Sequence, residues 1–345
     1  MPPCAQSYSF SKRPHDLRRM TTGLRHQIAK HSLMRRIAMR FGSRFNVTMT
    51  LVLATLTIGE ILLARRVHLE GTAQLLEAWP GFLLVLGSLV YCERRPLPKL
   101  IDPCELVAWA VLSSNVLALL VQLAARSPYP LADSQLAAFD HAMRFETSAI
   151  VTFVSHLPVV QGILALAYVA IPLLVFAAIL MPPFFGQRLA SRRYILSVIV
   201  TTIFTSILFA LWPACGPWMT EDLHPSAEQA AITARLLLLK SASVAKLDLE
   251  HTAIVSFPSF HVVLAILSAI ALNGIPRVRV LAWALAILTC ISTITTGWHY
   301  GVDLLGGLAV TVAGWALARL VVLPEMDFLT APRFEAIPAH IDDPA

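Results

Sequence analysis

Long runs of apolar residues without charged side chains dominate this sequence and restrict what it can fold into. Hydrophobic residues make up 57% and charged residues 14% of the 345 positions, and the mean hydropathy is +0.68. Soluble domains usually carry about 25% charged residues. A helix of about 20 apolar residues is long enough to cross a bilayer. We therefore predict an integral membrane protein.

Eight apolar runs are candidate membrane spans. They cover roughly residues 46–64, 79–92, 104–124, 158–181, 194–212, 258–273, 280–297 and 302–322. Helix is the predicted conformation because every backbone polar group in lipid must bond within its own segment. A barrel would show segments of alternating hydropathy, and these runs do not alternate. The predicted fold is all-α, a polytopic bundle of about six to eight spans.

The distribution of basic residues predicts the orientation of this bundle. Ten of the 27 Lys and Arg lie in residues 1–45, where Asp16 is the one acid, and others cluster in the short loops 93–99, 186–193 and 273–279. Cytoplasmic loops are enriched in Lys and Arg, and a basic arm suits an anionic lipid surface. Both termini are thus predicted to be cytoplasmic, although Arg65 and Arg66 lie on the wrong side. The net charge of +6 could indicate a nucleic acid, but no recognition motif follows, so we expect no such partner.

The predicted domains are a basic arm (1–45), N-terminal transmembrane helices (46–125), a catalytic membrane domain (126–322) and a cytoplasmic tail (323–345). In this arrangement the outer segment 129–146 is predicted to form an amphipathic helix on the membrane surface. Its apolar side would carry Leu131, Leu136, Phe139 and Met143.

Two polar motifs border the last apolar runs, at ends that the predicted topology puts on one face. The first is FPSFH at 257–261. Pro258 suits the first turn of a helix, which would leave the amides of Ser259, Phe260 and His261 free to bind a phosphate. His261 could exchange a proton near pH 7.

The second motif is GWHYGVD at 297–303. A spacing of four puts His299 and Asp303 on one face if the segment is helical. The carboxylate could then orient the imidazole and leave its other nitrogen free to attack. Three other interpretations remain: an interfacial histidine that is merely solvated, an aspartate that caps a helix, and a zinc site formed by His261, His299 and Asp303. We expect neither a metal nor another cofactor.

Together these motifs resemble the type-2 phosphatidic acid phosphatase superfamily of membrane enzymes. The family's Pro-Ser-Gly-His motif corresponds to residues 258–261, with Phe260 in place of Gly. Its Ser-Arg-x5-His-x3-Asp motif corresponds to residues 292–303, with Thr293 in place of the phosphate-binding Arg. The family's first motif, a Lys followed by Arg-Pro, is absent before residue 258. With these departures the motifs resemble those of the branch that contains inositol phosphorylceramide synthase, and the likeness extends over residues 129–310.

The resemblance implies a role for each matched residue. His299 would be the nucleophile that becomes a phosphohistidine, Asp303 would orient it, and His261 would protonate the leaving oxygen. Ser259 and the adjacent amides, including that of Phe260, would hold the phosphate oxygens. Between the fifth and sixth spans, the Lys and Arg residues are Arg235, Lys240 and Lys246. From these we predict Lys240 as the cationic partner of the phosphate, and the alternative is a surface lysine that anchors a helix at the lipid headgroups.

The sequence therefore predicts a metal-independent phosphatase or headgroup phosphotransferase that acts on a lipid-borne phosphate. The resemblance favours the transferase. The predicted location is the bacterial inner membrane, with the active site on its periplasmic face. A non-catalytic lipid-binding or transport protein and a degenerate family member are the alternatives.

Overall fold

The computed structural model describes residues 43–70, 79–95, 97–241, 245–246 and 255–322. The tail 323–345 and nearly all of the basic arm lie outside these residues. The described helices are α1 (Arg44–Arg66), α2 (Trp79–Arg94), α3 (Pro98–Ala125), α4 (Asp133–Ala142), α5 (Thr147–Ser155), α6 (Pro158–Val169), α7 (Ile171–Phe184), α8 (Arg188–Leu211), α9 (Ala227–Ser241), α10 (Phe260–Leu272), α11 (Pro276–Thr295) and α12 (Gly301–Val321). Two short strands, β1 (Leu69–Glu70) and β2 (Ala245–Lys246), pair in parallel.

Five of these helices are long and apolar enough to cross a membrane: α1, α3, α8, α11 and α12. Helices α5 and α6 would add a sixth span if the pair, which is bent by 117°, counts as one. Helices α7 and α10 are apolar but shorter. The prediction of an all-α membrane bundle is confirmed.

The prediction of one continuous span over 158–181 is wrong. Helix α6 ends at Val169 and α7 begins at Ile171, with Ala170 between them. Pro172 occupies the first turn of α7. Proline lacks a backbone N–H, and its ring clashes with the preceding turn, so a helix cannot pass through it undisturbed.

Helix α8 lies at the centre of the bundle and packs against α3, α7, α10 and α12. Gly314 permits the close contact with α12, because a Cβ there would clash with the side-chain methyl group of Thr201 on α8. The outer surface is apolar: Leu173, Leu281 and Leu320 are about 70% exposed. Such a surface suits hydrocarbon rather than water.

The two ends of α8 differ in chemistry. At its first residues, Arg192 pairs with Glu105 at 2.9 Å, and Arg193 donates to the Val322 carbonyl oxygen at 3.0 Å. At its last turn, the ring of Trp212 packs edge-on against Phe257, with centroids 6.4 Å apart. The two polar motifs thus lie at the end opposite to the arginines. Which side of the membrane this end faces stays a prediction.

Helix α4 lies within the segment that the sequence predicted to be amphipathic. Leu136, Phe139 and Met143 follow each other at helical spacing, but Leu136 is buried against the protein whereas Phe139 and Met143 are exposed. Their contact with a membrane surface stays a prediction. The face turned to the protein also carries Asp133 and Asp140, both buried. Their carboxylates accept backbone hydrogen bonds from other segments, and these bonds decide which side of α4 faces inward.

Candidate active site

The two polar motifs meet at a cavity of about 480 Å³. His261 is the second residue of α10, and His299 lies in the loop just before α12. Both imidazoles line the cavity, whose other walls come from α3, α8, α9 and the segment around Val255. The lining residues are Ser114, Leu117, Ala118, Val121, Tyr168, Val198, Thr202, Thr205, Cys215, Glu228, Ile232, Val255, Ser256, Phe260, His261, Leu264, Trp298 and His299.

His299 and Asp303 are in direct contact. The distance from His299 Nδ1 to Asp303 Oδ2 is 3.1 Å, and both side chains are buried. The contact is not made along one helical face, as the spacing suggested, since Tyr300 is the N-cap of α12 and His299 precedes it. Asp303 reaches back from the first turn instead. The arrangement leaves Nε2 of the imidazole as the nitrogen that can attack.

Three donors hold the Asp303 carboxylate. Besides His299, the Tyr300 amide donates to Oδ2 at 3.0 Å and the Ser256 hydroxyl at 3.1 Å. The backbone carbonyl of Asp303 accepts from the Ser259 amide at 3.0 Å. The two motifs are therefore joined directly, and the position of His299 depends on both.

His261 faces His299 across the cavity. Their ring centroids are 6.2 Å apart, with an interplanar angle of 63°. The other face of His261 stacks on Tyr168, with centroids 4.1 Å apart. Within the described ranges, no three His, Cys, Asp or Glu side chains form a group that could hold a metal ion, so the zinc alternative gains no support.

Ser259 is the N-cap of α10, and Pro258 lies outside the helix rather than in its first turn. The Ser259 amide is not free, since it donates to Asp303. The Ser259 hydroxyl is buried and has no hydrogen-bond partner among the described residues. Ser259 itself does not line the cavity, whereas its neighbours Phe260 and His261 do. Gly307 allows α12 to approach the start of α10 closely, because a Cβ there would stand 2.7 Å from the Ser259 carbonyl oxygen.

Asp140 and Asp133 stabilise the segments that form the site without lining the cavity, and neither role was predicted from the sequence. Asp140 accepts from the amides of Gly301 and Val302 at 2.6 and 2.8 Å, which fixes the start of α12. Asp133 accepts from the Gly216 amide at 2.9 Å and from the Tyr300 hydroxyl at 3.2 Å. Burial raises the pKa of both carboxyls, and these hydrogen bonds oppose that rise.

Lys240 does not line the cavity. Its ammonium donates to the Ser127 carbonyl oxygen at 2.9 Å, and burial lowers its pKa. Its assignment to phosphate binding stays a prediction. None of the described lining residues is Lys or Arg, and the one Asp or Glu among them is Glu228, which is exposed.

Burial also sets the protonation of the candidate nucleophile. It lowers the pKa of His299 to about 4, while a hydrogen bond with the Ser256 backbone acts in the opposite direction. At neutral pH the imidazole is therefore uncharged. An uncharged imidazole held by a carboxylate is the form that can act as a nucleophile.

Comparison with curated proteins and with solved structures finds no match. A family model does match residues 134–317, more than half of the chain, and this range contains both motifs and all of α10 to α11. The resemblance seen in the motifs is thus confirmed at the level of the superfamily: the chain belongs to the PAP2 superfamily.

Proposed function

We propose that this protein transfers a phosphoryl or phospho-headgroup from a lipid through a phosphohistidine on His299. Membership of the superfamily indicates a phosphatase or phosphotransferase. The observation that carries the finer proposal is the contact of His299 Nδ1 with Asp303 Oδ2, at 3.1 Å, beside a cavity that His261 enters from the opposite side. A positioned acid and an oriented nucleophile facing one space are what such a transfer requires.

In the first step, Nε2 of His299 attacks phosphorus and the bond from phosphorus to the leaving oxygen breaks. His261, in its doubly protonated form beside the negatively charged phosphate, gives one proton to that oxygen and becomes neutral. Asp303 balances the charge of the phosphorylated imidazole. In the second step, water or a lipid alcohol attacks phosphorus, His261 takes its proton, and the bond to Nε2 breaks. Atoms and charges balance over the two steps, and His299 is regenerated.

The phosphate oxygens would be held without a lysine or arginine from the described cavity wall. The amides of Phe260 and His261 begin α10, where backbone N–H groups and the helix dipole favour an anion. The Ser259 hydroxyl, which has no partner in the described part of the chain, would add a third donor. Fixed donors aimed at developing charge are usually a large catalytic contribution.

The apolar character of the cavity supports a lipid substrate. It extends from the two histidines toward side chains of α3, α8 and α10 such as Leu117, Val198 and Leu264. Ligand cavities of this size are typically apolar with a few polar groups that orient the ligand. The likeness of the motifs to the inositol phosphorylceramide synthase branch favours transfer to a second alcohol over hydrolysis, with the site on the periplasmic face.

The test is an assay of the purified protein in detergent and EDTA. We expect phosphate release from phosphatidate or a prenyl diphosphate, or headgroup transfer from a phospholipid to a lipid alcohol. A labelled donor should leave label on the wild-type protein but not on His299→Ala. Label retained by that variant would refute the nucleophile, and inactivity in all three assays would favour the non-catalytic alternatives.

A further inference from the structure

The hydroxyl groups on the cavity wall differ in whether they have a hydrogen-bond partner. Four Ser and Thr are among the described lining residues: Ser114, Thr202, Thr205 and Ser256. Three of them donate to protein acceptors. Ser114 donates to the Val111 carbonyl at 2.9 Å, Thr202 to the Val198 carbonyl at 2.7 Å and Ser256 to Asp303 Oδ2 at 3.1 Å. The Thr205 hydroxyl is buried and has no partner in the described ranges.

Within α8 the hydroxyls of Ser197 and Ser206 are likewise buried without a partner in the described ranges, but Thr205 is the one of the three that lines the cavity. A paired hydroxyl is the usual state for Ser and Thr in an apolar helix. Such hydroxyls commonly bond to the carbonyl one turn back, as Thr201 and Thr202 both do in α8. A buried polar atom without a partner is unfavourable and calls for an explanation. Thr205 is 1% exposed, so bulk water does not supply the missing partner.

The position of Thr205 indicates that a ligand in the cavity could be the missing hydrogen-bond partner. Val198, Thr202 and Thr205 follow each other along one side of α8 and form one wall of the cavity. Thr205 is the member of this row closest along α8 to Trp212, at the end where Phe257 and the histidine motifs lie. Threonine in a helix has two accessible χ1 rotamers, so rotation can turn its hydroxyl toward a ligand in the cavity.

We propose that Thr205 donates a hydrogen bond to the carbonyl oxygen of an ester or amide in an acyl lipid, and that this bond selects acyl lipids as substrates. The inference rests on the proposed function and narrows its substrate class. An acyl lipid carries carbonyl acceptors near its phosphate, whereas a prenyl phosphate has a hydrocarbon chain directly after it. A site that can pair a buried polar group rejects an analogue that leaves that group unpaired.

The sharpest probe is a pair of lipids that differ only in these carbonyls. We would measure kcat/KM for diacyl phosphatidate and for its dialkyl ether analogue with the wild type, Thr205→Val and Thr202→Val. Wild type should prefer the diacyl form by about three- to tenfold, the value of one net hydrogen bond. Thr205→Val should lose this preference. Thr202→Val is the matched control, on the same wall and helix but with its hydroxyl already paired, and should keep it.

Binding of the uncharged products separates this inference from the proposed function. Diacylglycerol should raise the thermal unfolding midpoint of wild type, Thr202→Val and Thr205→Ser more than dialkylglycerol does, and the difference should vanish in Thr205→Val. The thermal shift needs no catalysis. A protein inactive in the turnover assays would refute the proposed function, and the thermal shift would then still decide whether Thr205 binds the lipid carbonyl. Equal responses to the two lipids in the wild type, or a preference that survives in Thr205→Val, would overturn it.

Discussion

Replacing Asp303 by Asn tests the charge at the centre of the site while leaving its shape intact. Oδ2 accepts from His299, Tyr300 and Ser256, whereas Oδ1 has no partner within the described residues. The asparagine oxygen can take the place of Oδ2 and its amide nitrogen that of Oδ1. All three hydrogen bonds can therefore form, and we expect the variant to fold. Its unfolding midpoint should be lower than that of the wild type, because the buried amide nitrogen finds no acceptor at the position of Oδ1.

The effect on turnover follows from the lost negative charge. Hydrogen bonds to charged groups contribute about 1.5–3 kcal/mol against about 1 kcal/mol for neutral pairs. The phosphorylated imidazole is cationic and loses its counter-charge as well. A total of about 2–3 kcal/mol corresponds to a decrease in kcat of about 30- to 150-fold.

The assay is steady-state turnover in EDTA with the substrate that the wild type accepts, beside Ser256→Ala. That control removes one donor to Asp303 and keeps the carboxylate, so its loss should be several-fold smaller. If the folded Asn variant turns over within about threefold of the wild type, Asp303 carries no charge that matters for catalysis. The role assigned to it would then be wrong.

Three further predictions concern the same cavity. His261→Ala and His299→Ala should each lower kcat at least about a hundredfold, the range of positioned acid–base groups. Only His261→Ala keeps the nucleophile, so it alone should still form labelled phosphoenzyme, although more slowly than the wild type; normal turnover in either variant would contradict the role of that histidine. Because burial lowers the pKa of His299 to about 4, the neutral nucleophile should persist as pH falls through 6 and be lost only toward 4, so a kcat/KM profile that drops with a midpoint near 6.5 from this group would contradict the geometry. Ala118→Leu should fill part of the cavity and lower kcat/KM several-fold more for a long-chain substrate than for a short-chain one, and an equal effect on both would place the chain elsewhere.

The sequence predicted the class of fold because hydropathy is a local property. Each apolar run signals a helix without reference to its neighbours, and the spans 46–64, 104–124 and 194–212 correspond to α1, α3 and α8. The prediction failed at 158–181, where a single Pro172 splits an apolar run that hydropathy treats as continuous. The bend of 117° between α5 and α6 likewise leaves no trace in hydropathy.

The motif residues were predictable because their types and spacing carry the chemistry. The contact of His299 with Asp303 was expected, although a helix cap and not a helical face produces it. Asp140 was not predictable, since its partners Gly301 and Val302 lie 161 and 162 positions further along the chain. From sequence alone, an acidic residue in an amphipathic segment is expected to face solvent. Only the tertiary structure shows which backbone amides its carboxylate accepts hydrogen bonds from.

The proposed catalysis and the proposed lipid selection would depend on different residues of this chain. The histidines and Asp303 lie within the range that defines the superfamily, 134–317. Leu117, Ala118 and Val121 of α3 line the same cavity from outside that range. A helix that bears none of the chemistry can change the shape of the cavity without disturbing the hydrogen bonds that hold His299. In the proposed function the motifs would therefore constrain the reaction, while wall residues that no motif marks, among them Thr205, would constrain the lipid.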